Sequence, residues 1–283
     1  MNRTASQPEY LTMVATPADT VAELGFGVEA NVSAAGEVAL PPSHAPFLFS
    51  VHLPAGDDAG RLNVGAFDAA RREVSIETVQ RAIDVACDVG AARGVIHSMG
   101  IVSFEGEEVG DWDRTVAGLQ RIADHARPKD FELVLENVVY YWPPVPVHIP
   151  AERADRSQCL YQLGRDPREW RQLWAAIDRD NVRLCLDTSH ATTFAVATSD
   201  LAEQAQRVQE FLDIGGELIT HVHWSDNYLG GHRGRNDSHL HVGQGTLPRP
   251  FHAQVKRLAA VKHLEHNSTA EELRDELAFI EQL

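Results

Sequence analysis

The chain has 283 residues, enough for one large α/β domain or two ordinary ones. Its 43% hydrophobic and 23% charged residues are those of a globular protein, and no apolar run nears the ~18 residues of a membrane span. A net charge of −16 without any Lys/Arg run argues against a long nucleic acid, whose phosphates are gripped by basic faces. The N-terminus lacks the apolar core of an export signal, and Cys87, Cys159 and Cys185 form no CxxC pair. Free thiols in a reducing cytoplasm are the expectation.

Residues 1–15 read as a loosely ordered N-terminal segment of a single domain. Thr16-Pro17-Ala18-Asp19 is a cap with proline at the first helical position, and it opens a helix to Leu24. Apolar runs then follow at Gly25–Asn31, Phe47–Leu53, Gly94–His97, Phe131–Glu136, Val182–Asp187, Leu218–Trp224, His239–Val242 and Val261–Glu265. Each has the length of a buried parallel strand. Helical spacing is read in Ser75–Val89, Trp112–Ala126, Pro167–Ile177, Ser199–Leu212 and Ala270–Leu283. Strands alternating with helices predict βαβ units, and these strands together predict a (β/α)8 barrel. Long connections at Pro54–Val74, Met99–Asp111 and Asn137–Asp166 would all lie on the catalytic face.

Metal-type side chains recur where the apolar runs end: His52, His97, Glu136, Asp187, His223 and Glu265. Barrel active sites draw their residues from the C-terminal ends of several strands. A buried carboxylate such as Glu136 is costly unless paired or metal-bound. His190 follows Asp187 by three and is expected in the turn beyond the strand. Asp237, His239 and His241 share one strand face, as do His221 and His223. Imidazole and carboxylate without thiolate suit zinc first, with manganese or iron(II) as alternatives. His221 and His241 are expected to orient ligands or to be core residues, and Asp226 to orient His223 or bind substrate. Glu29 either holds substrate or bonds a neighbour, and Trp224 reads as packing. His44, His125, His148, His252, His263 and His266 read as ordinary surface or core histidines.

Tyr140, Tyr141 and Trp142 precede a proline-rich stretch and could stack on a planar substrate or form a rigid lid. Arg233 and Arg235, in Gly230–Arg235, suit an anionic group.

The order His, His, Glu-Asn, Asp-x-x-His, His-x-x-Asp, Asp-x-His, Glu resembles the xylose-isomerase-like barrel superfamily, and within it the endonuclease IV (AP endonuclease 2) type. The resemblance runs from about Gly25 to Leu283 and includes the Gly-x-Gly end of Asp237–Gly245. It implies two to three divalent metals. His52, His97 and Glu136 match one ligand set. Glu136, Asp187, His223 and Glu265 match a second, with Glu136 bridging, and His190, Asp237 and His239 match a third. The superfamily's isomerases and epimerases need only the second set, whereas its phosphodiesterases need all three. The expectation is a metal-dependent phosphodiesterase working by attack of a metal-bridging hydroxide on phosphorus, with Glu136 and Glu265 flanking the hydroxide. The acidic charge and the missing basic loops favour a compact small-molecule phosphodiester over duplex DNA. The cobamide-remodelling phosphodiesterases, which act on a corrinoid, fit that description. A single-metal sugar or keto-polyol isomerase or epimerase is the alternative, followed by an abasic-site endonuclease and a non-catalytic barrel.

Overall fold

A computed structural model of the chain describes residues 7–144 and 149–283. Eight parallel strands close into a barrel: β1 (Tyr10–Met13), β2 (Gly27–Asn31), β3 (Leu48–His52), β4 (Arg93–His97), β5 (Glu132–Glu136), β6 (Val182–Asp187), β7 (Ile219–His223) and β8 (Val261–Leu264). Each pairs with its neighbour in sequence, and β8 closes on β1 through Tyr10↔Lys262 and Leu11↔His263. The helices are α1 (Ala18–Leu24), α2 (Ala69–Asp88), α3 (Trp112–Ala126), α4 (Pro167–Ile177), α5 (Thr188–Ala195), α6 (Leu201–Gly215), α7 (Arg249–Arg257) and α8 (Ala270–Glu281). This is a single-domain (β/α)8 barrel. The β2–β3 crossover carries only a 3-10 turn, Pro42–Phe47, while the β6–β7 crossover carries α5 and α6. Among the described residues no helix is long and apolar enough to cross a membrane.

The main core lies between barrel and helices. Val28, Val51, Ile96, Leu135, Leu186 and Val222 point outward from the strands onto Ile76, Ile83, Ile122, Trp170 and Phe211 of the helices. Inside the barrel Val95, Val134 and Cys185 form a small separate apolar cluster. Buried Glu29, Ser50, His221 and His263 make the interior unusually polar, because barrel interiors are normally filled with branched apolar side chains.

Two expectations fail in topology. Tyr10–Met13, expected within a loose segment, is a barrel strand. His239–Val242, expected as a strand, makes only an isolated bridge between Leu240 and Asp226. Its alternation of polar and apolar residues mimics a strand, yet it belongs to a loop in which His239 faces the site and His241 turns away from it. The long connections are also more ordered than expected. Pro54–Val74 contains a small hairpin and the start of α2, capped by Asp68, whose side chain accepts from Ala70 N and Arg71 N. Met99–Asp111 forms a hairpin that pairs with Tyr161–Gln162 of the third connection. In that third connection, Pro146 and His148 lie outside the described residues.

Candidate metal centre

Strand geometry delivers the first half of the site. Side chains alternate across a strand, so the last residue of β3, β4, β5, β6 and β7 faces the barrel axis above an inward residue two places earlier. Those last residues are His52, His97, Glu136, Asp187 and His223, and Glu265 follows directly after β8. The other half comes from two local structures. Asp187 caps α5 by accepting from His190 N at 2.7 Å, and this brings His190 into the first helical turn. Asp237 and His239 enter from the loop after β7. His239 is held at φ +39, a strained conformation for a non-glycine residue of the kind that clusters at functional sites.

These side chains converge. Glu136 Oε2 lies 3.4 Å from His52 Nε2 and 2.8 Å from His97 Nε2. Its Oε1 is 2.7 Å from His223 Nδ1, which is itself 3.0 Å from Glu265 Oε2 and 3.9 Å from Asp187 Oδ2. Asp237 reaches His190 Nε2 at 3.3 Å and His239 Nε2 at 2.9 Å. The remaining ring nitrogens define the tautomers. Nδ1 of His52, His190 and His239 donates to the carbonyls of Leu53, Asn137 and Glu265 at 3.0, 2.8 and 3.1 Å. A carbonyl only accepts, so a neutral ring there keeps Nε2 as a lone pair aimed into the cluster. The cluster is nearly closed below, with Glu136, Asp187 and His223 buried, and open above at Asp237, whose side chain is 31% exposed.

The residues fit a cation. Both oxygens of Glu136, Asp187 Oδ2, His223 Nδ1 and Glu265 Oε2 are buried without a hydrogen-bond partner. Orphaned buried acceptors are costly, and here they point at one another. Ligand-type atoms within reach of one ion group as His52, His97 and Glu136, as Asp187, His190, Asp237 and His239, and as Glu136, Cys185 and His223.

Without a cation the imidazoles must carry the balancing charge. Burial opposes ionisation of Glu136, but the His223 and His97 rings hold its carboxyl well below the usual range. Burial pushes Asp187 up to about 7, with the Asp237 and Glu265 charges adding to the rise. Burial likewise works against Glu265, yet the His223 ring holds it down to about 2. His239 is raised to about 9 against its burial, chiefly by its hydrogen bond to Asp237. A pocket that demands this much compensating positive charge is one where a divalent ion replaces protons.

Other expected site residues lie elsewhere. His241, predicted to share a face with Asp237 and His239, turns toward α8, where its Nδ1 is 3.6 Å from Glu276. Asp226 does not orient His223. It organises the following loop, accepting from Asn227 N, Leu247 N and Gly243 N at 2.8, 3.1 and 3.0 Å. This explains the Gly-x-Gly pair: Gly243 sits at φ +95, and a Cβ on Gly245 would collide with Asn227 O and Asp226 Oδ1. His221 lies one layer below His223, and burial drives its ring down to about 4.

Arg233 and Arg235 do not reach the carboxylate–imidazole cluster through any described ion pair. Arg233 lies 3.5 Å over Tyr228, while Arg235 lies 4.8 Å over Trp142 and donates to Ile149 O. Tyr140 and Trp142 are anchored to α5, Tyr140 N donating to Thr193 Oγ1 and Trp142 Nε1 to Thr193 O, both at 2.8 Å. Arg156 stacks 3.3 Å over Tyr140 and also bonds the carbonyl of Tyr141. Tyr140 and Trp142 therefore form a fixed, half-buried wall on the helix that carries His190, while the ring of Tyr141 lies 4.9 Å from Arg61.

Some residues carry more than the sequence revealed. Cys185 stands within ligand reach of Glu136 and His223, with burial pushing its thiol well above the usual range. His263 faces Glu29 and His266 faces Glu276, so neither is an ordinary histidine bonded to backbone. By contrast His44 does bond a backbone carbonyl, that of Thr16, at 2.7 Å. The missed signal was strand parity beyond His221 and His223: His263 points inward because Glu265 does.

A model of the xylose isomerase-like TIM barrel family matches residues 30–283. Among solved structures, endonuclease IV from Thermus thermophilus is 22% identical, covering 98% of this chain and 100% of its own, with a TM-score of 0.63. A D-tagatose 3-epimerase-like protein is 20% identical over 97% of this chain and 98% of its own, at 0.62. A further Thermus thermophilus protein, soaked with zinc chloride, is 20% identical over 97% of both chains, at 0.60. At these identities the likeness is one of fold. No curated protein matches the sequence.

Proposed function

Because the chain belongs to the xylose isomerase-like TIM barrel family, we propose that it is a metal-dependent hydrolase of a compact phosphodiester. The observation that carries this reading is the third ligand group. Asp237, His190 and His239 meet within hydrogen-bond range beside Glu136 and His223, and a one-metal isomerase does not need them as ligands. His52, His97 and Glu136 would hold one divalent ion, Glu136, Asp187, His223 and Glu265 a second, and His190, Asp237 and His239 a third, with zinc the first candidate. Bound there, such ions would supply Lewis acidity toward phosphoryl oxygens and lower the pKa of water.

The chain's own groups divide the remaining work. Glu136 and Glu265 approach the same ring nitrogen from two sides and are placed to orient a water and accept its proton. Val95, Val134 and Cys185 close the floor against bulk water. Asp237 and His239, on the open side, face the path of the leaving oxygen. The aromatic wall of Tyr140 and Trp142 suits a planar group on the substrate, with Arg156 and Arg235 stacked on it as nearby cations. The most specific substrate we propose is the nucleotide loop of a cobamide, hydrolysed in the cytoplasm. The strongly negative chain disfavours duplex DNA.

A second reading, single-metal epimerisation of a sugar or keto-polyol, draws on the Glu136, Asp187, His223 and Glu265 set alone. It is favoured by the likeness to structures described as D-tagatose 3-epimerase-like and D-allulose 3-epimerase. One panel separates the two. Metal-loaded protein is offered bis(p-nitrophenyl) phosphate, adenosylcobamides, an abasic duplex and a set of ketoses and inososes. Phosphodiester cleavage abolished by chelator supports the first reading; ketose interconversion without it overturns that reading.

A further inference from the structure

Below the rim lies another buried polar layer that the proposed chemistry does not use. Glu29 of β2 sits one side-chain level beneath His52, in register with Ser50 of β3. Its carboxylate is buried and accepts from Ser50 Oγ at 2.6 Å. Three imidazoles face it: His223 Nε2 at 3.1 Å, His221 Nε2 at 3.2 Å and His263 Nδ1 at 3.5 Å. Only the His223 contact has hydrogen-bond geometry, because both nitrogens of His221 and of His263 are without partners. Placing a carboxylate so deep is costly, and the cost is offset only if it bonds something that needs it.

His223 differs from the other rim histidines in two ways. His52, His190 and His239 bond a backbone carbonyl through Nδ1 and present Nε2. His223 is turned over: it presents Nδ1 to Glu136 and Glu265, and its other nitrogen meets a carboxylate. A carboxylate behind an imidazole both fixes the tautomer and raises the ring's basicity toward a metal, worth roughly 10–100-fold in affinity.

We propose that Glu29 is a positioning residue of the metal centre: by accepting the Nε2 proton of His223 it commits Nδ1 to the cation shared with Glu136, Asp187 and Glu265. The proposal rests on the reading of His223 as a metal ligand. Glu29 itself touches neither metal nor substrate. His221 and His263 flank its carboxylate at 3.2 and 3.5 Å. The turned ring also explains how His221 and His223, on adjacent layers of one strand, both come within 3.2 Å of the same carboxylate although only His223 bonds it.

The test uses zinc-loaded and zinc-free full-length chain, wild type and Glu29→Gln, with folding checked by circular dichroism. Zinc affinity is read by competition with a chromophoric chelator. The protonated ring nitrogen of His223 is read by long-range 1H–15N correlation. Expected are Nε2–H in the wild type, a mixture of tautomers in Glu29→Gln, and a roughly 10–100-fold weaker affinity for one zinc equivalent. If Glu29→Gln does not fold, Ser50→Ala loosens the same carboxylate and is expected to weaken that equivalent less, in the same direction. A folded Glu29→Gln with wild-type affinity and an unchanged His223 tautomer overturns the role. So does zinc-edge anomalous density between Glu29, His221 and His263, which would make Glu29 a ligand. A wild-type chain that takes up no divalent ion removes the metal reading and this role together. Wild-type uptake with no effect at Glu29 removes this role alone.

Discussion

Two histidine–carboxylate clusters lie within a few residues of each other in sequence, and they are built for different ends. At the rim, Glu136, Asp187, His223 and Glu265 turn unpartnered lone pairs toward a common point. Against α8, Glu276 has each oxygen engaged: Val242 N donates to Oε1 at 2.7 Å and His266 Nε2 bonds Oε2 at 2.7 Å. The His241 and His266 rings stack there with centroids 4.3 Å apart, closer than any pair at the rim. Their nitrogens do lie within ligand reach of Glu276, but that carboxylate already has a hydrogen-bond partner on each oxygen. Composition alone does not separate a binding site from a structural tie; the orphaned acceptors do. The α8 cluster holds the 237–247 loop, and so the strained His239, to the end of the barrel.

This contrast can be broken at several points. Glu136→Gln removes a ligand common to two groups and should cut phosphodiester turnover by about 10³-fold or more while lowering bound metal, measured by steady-state assay with elemental analysis. Unchanged metal and turnover would equate the two clusters. Asp237→Ala or His190→Ala should cost roughly 10²-fold in phosphodiester cleavage and about one metal equivalent, while leaving the set around Glu136 filled. A single-metal isomerase, in which these residues contact sugar or orient ligands, would lose no metal equivalent in these variants. His266→Ala should leave metal content unaltered and lower stability by about 1–3 kcal/mol, seen in urea unfolding, because Glu276 loses a buried partner. Loss of a metal equivalent there would make the α8 cluster a binding site. Trp142→Ala should act least, raising KM for an aromatic-bearing substrate by an energy of about 1 kcal/mol with little change in kcat.

What the sequence revealed follows the same division. The strand-end residues His52, His97, Glu136, Asp187, His223 and Glu265 were legible because each closes an apolar run, and parity then forces them onto one rim. The barrel's first strand was not legible. Tyr10–Met13 has only four residues, and its membership depends on pairing with β8 as well as β2, the former far away in sequence. α5 was hidden because Thr188–Ala195 is rich in threonine, a weak helix former, and the Asp187 cap and burial against α6 decide it. α7 was not among the helices read from spacing; it is only nine residues long and opens on Pro248 and Pro250, and proline at the start of a helix is favourable. Glu29 resembled one more rim residue, since sequence cannot tell which layer of a barrel a carboxylate occupies.

The most direct test of the central claim is the number of divalent ions per chain, by elemental analysis of protein purified without chelator, in the wild type and in His190→Ala. The account predicts two to three equivalents in the wild type, about one fewer in the variant, and phosphodiester turnover only in the wild type. One equivalent in both proteins, with no turnover, would contradict it and leave a mononuclear site of the isomerase kind.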